Sequence, residues 1–158
     1  MQKTFRFLLD ALARELGLPE IAASEDGLSA LLVIDDFELW LRCVSTGHLL
    51  LFTVVSPLPE QNREKVMAAL LDANTFYYQT QGFCLGARED TGVTLQGVIA
   101  LRFLDENNVC LFVNNFIEVA QHWQRRCREI AAEGEENPAP LPQAGLPDGI
   151  LDMLYLRV

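Results

Sequence analysis

The chain opens on apolar residues at helical spacing. Phe5, Leu8, Leu9, Leu12 and Leu16 form one stripe, while Arg6, Asp10 and Arg14 fall on another side. This pattern predicts an amphipathic helix over residues 2–16. Gly17 and Pro19 end it, one by allowing a left-handed cap and the other by being unable to continue a helix. Beyond residue 27 the period falls to two, the mark of strands. Three strands are expected over 28–34, 38–44 and 49–55. The second alternates most cleanly, with Phe37, Leu39, Leu41 and Cys43 on one face and Glu38, Trp40, Arg42 and Val44 on the other. Asp35-Asp36 and Ser45-Thr46-Gly47-His48 supply hairpin connections, so the three strands form an antiparallel meander.

Pro57 and Pro59 stop the third strand, and a second helix is expected over residues 60–76. Val66, Leu70 and Tyr77, with Met67, Leu71 and Asn74 beside them, mark its apolar side. Extended segments follow over 83–88 and 93–103, separated by the turn residues Asp90-Thr91-Gly92. Asp105 is a suitable N-cap for a third helix reaching residue 132, with the stripe Val109, Phe112, Phe116, Ala120, Trp123, Cys127 and Ile130. The order α-β-β-β-α-β-β-α predicts an α+β fold, an antiparallel twisted sheet with three helices against one face.

After this domain, residues 1–132, the character changes. Residues 133–149 carry four of the seven prolines and no periodicity, as an extended linker does. An apolar string, ILDMLYLRV, occupies residues 150–158. It has three possible fates: completing the core, adding a strand to a dimer mate, or docking in a groove of its own chain in competition with a partner.

Half of the 158 residues are hydrophobic, enough for one domain to bury a core without disulfides or metal. The net charge of -10 disfavours nucleic acid, whose phosphates are met by clustered Lys and Arg. It suits solubility or a basic partner. Asp10, Arg14 and Glu15 interrupt any signal-peptide core, and no apolar run is long enough for a membrane span, so a cytoplasmic protein without membrane insertion is expected. Cys43, Cys84, Cys110 and Cys127 are widely spaced and have no His at ligand spacing, which favours reduced structural thiols over a zinc site or disulfide framework.

Candidate chemistry is sparse. His48 sits in a predicted turn and His122 beside Trp123, and neither has a Cys or Ser neighbour in sequence. The segment GFCLG lacks the spacing of a phosphate loop. Asp35-Asp36 and the run Glu133, Glu135, Glu136 lack the alternating ligands of a calcium loop. No catalytic residue, metal ligand or cofactor is assigned, and an enzyme is not expected.

Several stretches, taken in order, resemble one family. They are LARELGLP at the end of the first helix, LLLFTVVSPLP after the meander, MAALLDANTF, GFCLGAREDTGVTLQGVIAL, and FIEVAQHW. The set, covering residues 1–132, is similar to the Tir chaperone (CesT-like) family of class I type III secretion chaperones. Its most specific part runs from Leu70-Leu71-Asp72-Ala73-Asn74 to Leu85-Gly86. The resemblance implies an α+β homodimer joined through the central helix and the strands after it. It further implies binding, without ATP, of the N-terminal chaperone-binding segment of a secretion effector, which wraps the dimer in extended form. Residues 133–158 go beyond the resemblance.

Within that frame, apolar residues off the core stripes are the candidate contacts. Phe7 lies about 160° from the centre of its helix's stripe, at roughly 100° per residue. Trp40 faces away from Leu39 and Leu41, and Leu50 and Phe52 are expected to share its face. Phe7, Trp40, Leu50 and Phe52 are therefore expected to contact an effector, a second-layer core being the alternative. Met67, Leu71, Leu95 and Ile99 are expected at the dimer interface. Two other functions stay open: an adaptor of the same fold holding a transcription factor or secretion component, and a thiol enzyme or hydrolase with an assembled Cys-His pair.

Overall fold

The structure, a computed structural model, describes residues 1–34 and 37–133. Asp35 and Asp36, the linker beyond Glu133, the acidic pair Glu135 and Glu136, and residues 150–158 lie outside the described residues.

The elements run α1 (Gln2–Glu15), β1 (Ser29–Ile34), β2 (Phe37–Val44), β3 (His48–Ser56), α2 (Arg63–Asn74), β4 (Cys84–Arg88), β5 (Gly92–Ala100) and α3 (Glu106–Ala132). This is the α+β order expected from the pattern. In α1, Phe5, Leu8, Leu9 and Leu12 are buried, each contributing about 1.5–3 kcal/mol by leaving water. The helix ends in a Schellman arrangement: Leu18 N–H donates to Ala13 O at 2.8 Å and Gly17 N–H to Arg14 O at 3.3 Å. Gly17 takes φ +66°, a value that a side chain disfavours. α3 starts with a capping box. The Asp105 carboxylate accepts from the N–H groups of Asn107 and Asn108, both at 2.9 Å, and Asn108 Oδ1 accepts from Asp105 N–H at 2.6 Å.

The sheet is antiparallel throughout, in the order β1-β2-β3-β5-β4. β5, not β4, lies beside β3, so the second hairpin is inserted with its later strand inside. Leu39, Leu41 and Cys43 of β2, Leu49 and Leu51 of β3, and Leu85 and Leu95 point to one side and are buried. α1 and α3 pack together on that side, and α3 runs against β3. Phe83 and Phe116 meet edge-on, with ring centroids 5.0 Å apart, over Gly97. A Cβ at Gly97 would come within 2.8 Å of the Phe83 ring, so this glycine lets the rings reach the sheet. Near its end β3 slips register between Val54 and Ser56, so Val55 and Ser56 are both buried. Gly92, at φ +102°, starts β5 so close to β3 that a Cβ would lie 2.5 Å from Ser56 O.

Two elements are shorter than their sequence patterns. α2 begins only at Arg63, because Asn62 is left-handed at φ 55°, and it ends at Asn74, where Thr75 turns extended. Tyr77, placed on the apolar side of that helix by its spacing, instead lies past its end and is exposed. β5 stops at Ala100, and Leu101–Phe103 forms a short 3-10 turn tied back by a Leu101 N–H bond to Gly47 O at 2.9 Å.

Candidate partner-binding surface

Because strand side chains alternate, covering one face of the sheet leaves a complementary set on the other. Here that open face is largely apolar. The register aligns Leu31, Trp40, Phe52, Gln96 and Cys84 in one row, and Ser29, Arg42, Leu50 and Val98 in the next. Val33 and Val54 extend it, both exposed. Trp40 is 46% exposed and Val98 61%. Between the two rows lies an open hollow of about 430 Å³ whose lining includes Trp40, Arg42, Leu50, Phe52, Gln96 and Val98. A contiguous solvent-facing apolar patch of this kind exceeds the singly scattered apolar residues normal on a protein surface and makes this face the candidate site. Arg42 and Gln96 at its margin can orient a polar backbone.

Three of the four residues expected at the partner surface, Trp40, Leu50 and Phe52, are thus in one hollow. Phe7 is not with them. It stands 47% exposed on α1, in the helical layer behind the sheet. The surface also takes in Leu31, Val54 and Val98, none of which the sequence pattern singled out. Val98 is two residues from Gln96 on the polar-looking side of β5, a usable signal only once β5 is known to pair with β3.

The two sheet edges differ. On β1 the outer side is bridged only at its start, Ala23 to Ala30, among the described residues. From Leu31 onward no further strand among them pairs with it. On β4 the edge is plugged: Asn74 Nδ2 donates to Leu85 O, and Leu85 N–H donates to Asn74 Oδ1, each at 2.9 Å. The unplugged part of β1 carries Leu31 and Val33, so an open edge and the apolar face meet there.

The residues expected at the dimer interface divide. Met67 and Leu71 are on the outer side of α2, Leu71 being 71% exposed. Leu95 does not fit this role: it is fully buried in the core of the chain itself, because its side of β5 faces the helices. Ile99, on the same side, is partly buried against that core. Beyond α2, Phe76, Tyr77 and Tyr78 are all exposed. Phe76 and Tyr77 sit in left-handed backbone at φ 61° and 59°, a conformation costing roughly 1–2 kcal/mol per residue. The fold thus displays three consecutive aromatic rings just beyond the end of α2 at an energetic cost.

Little on the surface is suited to chemistry. Among the described residues no group of three or more His, Cys, Asp or Glu side chains converges. His48 Nδ1 is 3.1 Å from Thr46 Oγ1, and His122 rests edge-on against Trp123. Burial pushes the Cys43 thiol up to about 11 and also raises Cys127, although a Ser56 hydrogen bond opposes the latter. Cys110 is raised too, by burial and then by Glu15. These thiols are therefore poor nucleophiles. No helix among the described residues is long and apolar enough to cross a membrane.

The fold has relatives among solved structures. It superposes on a chain of the ExsC–ExsE complex with a TM-score of 0.64 at 25% identity, covering 78% of this chain and 92% of that one. A chain of the HopA1–SchA chaperone–effector complex gives 0.61 at 21% identity, covering 81% and 95%. The structure of the Yersinia pestis type III secretion chaperone SycH with a fragment of YscM2 gives 0.59 at 20% identity, covering 73% and 96%. The architecture is therefore that of the type III secretion chaperones. A sequence search of curated proteins gives no match. A model of the Tir chaperone protein (CesT) family matches residues 7–124, and the chain belongs to that family.

Proposed function

We propose that this protein is a cytoplasmic type III secretion chaperone. It binds the N-terminal chaperone-binding segment of an effector and keeps that effector soluble and secretion-competent, without ATP and without catalysing a reaction. The observation that carries this reading is the open apolar sheet face, with its hollow between Trp40, Leu50, Phe52 and Val98. An extended segment laid on that face can place alternate side chains in the hollow. Where it reaches the open part of β1, its backbone can add hydrogen bonds as an extra strand. Trp40 is the natural anchor, since its large ring buries much area with few rotors. Phe7, on the helical layer, would meet a more distant part of a segment that wraps the molecule.

The same reading makes the protein a homodimer. Met67, Leu71 and the aromatic run Phe76, Tyr77 and Tyr78 form its mating surface.

The test is recovery of the tagged full chain from its native cytosol, followed by titration with the N-terminal segment of the protein that co-purifies. One large protein held by a short N-terminal segment, at two chaperones per partner, is expected. Trp40→Ala should weaken that binding about 10- to 30-fold, the loss of a hot-spot side chain, while the unfolding midpoint hardly moves. Recovery of regulators or secretion-apparatus components alone would make the protein an adaptor. A Trp40→Ala chain that fails to fold would make the open face a second core layer instead.

A further inference from the structure

We propose that residues 150–158 dock on the open sheet face of their own chain, over the hollow between Trp40, Leu50, Phe52 and Val98, and hold it until an effector displaces them. This rests on the reading of that face as the effector surface, and adds a regulator built into the same chain.

The face needs a cover, and the sequence carries one of matching chemistry. Seven of the nine residues in ILDMLYLRV are apolar. Leu154, Leu156 and Val158 alternate with Tyr155 and Arg157, so in an extended conformation three apolar side chains project to one side. That is the pattern a segment needs to lie on a sheet face with its other side in water.

The structure also places a groove between the last turns of α3 and the end of β3. Glu133 closes α3 beside α2, its carbonyl accepting from Asn62 Nδ2 at 2.5 Å. The groove, of about 470 Å³, has Gln124, Arg128 and Ala131 of α3 on one wall and Val54, Pro57 and Pro59 on the other. Val54 lies on β3, the strand that also carries Leu50 and Phe52 of the hollow.

The tether is long enough. Residues 134–149 number 16. They would span about 50 Å if extended at about 3.1 Å per residue, and about 22 Å as a random coil. A five-stranded sheet is about 19 Å across at about 4.8 Å per strand spacing. An extended tether is thus more than twice the width of the sheet.

A tether of this length gives an effective concentration on the order of 1 mM. A segment binding in trans with a Kd of only about 0.1 mM would then occupy the face roughly nine-tenths of the time. Effector affinity would be reduced about ten-fold, because only the open fraction can bind. A weak segment therefore suffices to prevent unselective binding, and a real effector still displaces it.

The test uses the full chain and two readouts. Acrylamide quenching of Trp40 fluorescence, with Trp40→Phe subtracting the Trp123 signal, reports cover of the face without any effector. Titration with the effector segment reports competition. In the full-length Leu154→Asp/Leu156→Asp variant, Trp40 quenching should rise at least about two-fold and effector affinity about ten-fold. A synthetic ILDMLYLRV peptide should reverse the rise in quenching. Equal quenching in both chains overturns the proposal. Quenching that rises on simple dilution of the wild-type chain also overturns it, because a second copy is then the cover. Raised quenching with unchanged effector affinity supports docking and overturns its regulatory role. If Trp40→Ala leaves effector binding intact, the effector-surface reading fails by itself, and the quenching comparison still decides whether the segment docks.

Discussion

The side-chain amide of Asn74 mimics a neighbouring strand for Leu85. It donates to the Leu85 carbonyl and accepts from the Leu85 N–H, each at 2.9 Å, so one residue at the end of α2 satisfies both outward-facing backbone groups of Leu85 near the start of β4. Leu85 pairs with Leu95 across β4 and β5, and its side chain is buried. The bond pair therefore locks α2 to the edge of the sheet and removes a site where another chain could add a strand. It also gives a physical reason for the spacing between LLDAN and LG, the part of the family resemblance with the most specific pattern. The spacing brings an amide to one particular backbone position.

Asn74→Ala should destabilise the protein by about 1–3 kcal/mol, the cost of leaving part-buried backbone groups unpaired. Chemical denaturation measures the loss, and hydrogen exchange should show faster exchange at the Leu85 amide. Asn74→Asp should be at least as damaging at neutral pH, since a carboxylate can accept from Leu85 N–H but cannot donate to its carbonyl. Acidification through the carboxylate range restores a donor, so the stability gap between the Asn74→Asp variant and the wild-type chain should narrow as pH falls.

The exposed stretch after α2 predicts the oligomeric state. Leu71→Asp combined with Tyr78→Asp places two charges on an apolar surface that a folded protomer does not need for its own core. Light scattering after size exclusion should show a dimer for the wild-type chain and a monomer for the double variant. The far-ultraviolet circular dichroism of the two should match. A wild-type monomer at micromolar concentration would refute the assignment of this surface.

Thiol chemistry should follow burial. Cys84 lies exposed on the open face, whereas Cys43 and Cys127 are buried. Maleimide labelling of the native chain should modify Cys84 first and leave Cys43 and Cys127 intact until unfolding, as peptide mapping can show. The raised Cys43 value also has a sign. The folded chain keeps its proton up to about 11, against 9.0 for the free thiol. In the window between those values the native state binds more protons than the unfolded one, so stability falls as pH rises through it. Cys43→Ala should lower stability at neutral pH, by leaving a small cavity, and flatten the decline above about pH 9.

Local pattern was most informative where one element's surroundings are simple. The stripe of α1, the alternation of β2 and the Asp105 cap of α3 each occur where spacing places them, because a single buried face or a single side-chain bond decides them. α2 was less legible. Its sequence stays helix-compatible past Asn74, yet the backbone turns at Thr75 so that Asn74 can reach Leu85 and the following aromatics can turn outward. β5 likewise reads as one long strand to Phe103, although Leu101 instead bonds to Gly47 in the β2–β3 turn. In both cases a contact with a residue distant in sequence outweighs local preference.

The candidate surface shows the same division. Trp40, Leu50 and Phe52 could be grouped from alternation alone, since each is out of phase with a buried neighbour on its own strand. Val98 could not, because its partner Leu50 is set by the β3–β5 pairing. The pattern of β5 places Leu95 at a surface for the same reason: one strand cannot say which of two apolar-looking faces meets the helices.

By itself, then, the sequence determined the element types and order, the buried stripe of α1, the family, and the presence of apolar residues beyond what one core uses. Those follow from local periodicity and from motifs short enough to read along the chain. The tertiary structure alone decided the strand order, the side of the sheet that stays open, and the edge that Asn74 plugs. Each depends on which distant backbones pair, and pairing is set by packing across the whole sheet, which no local pattern encodes.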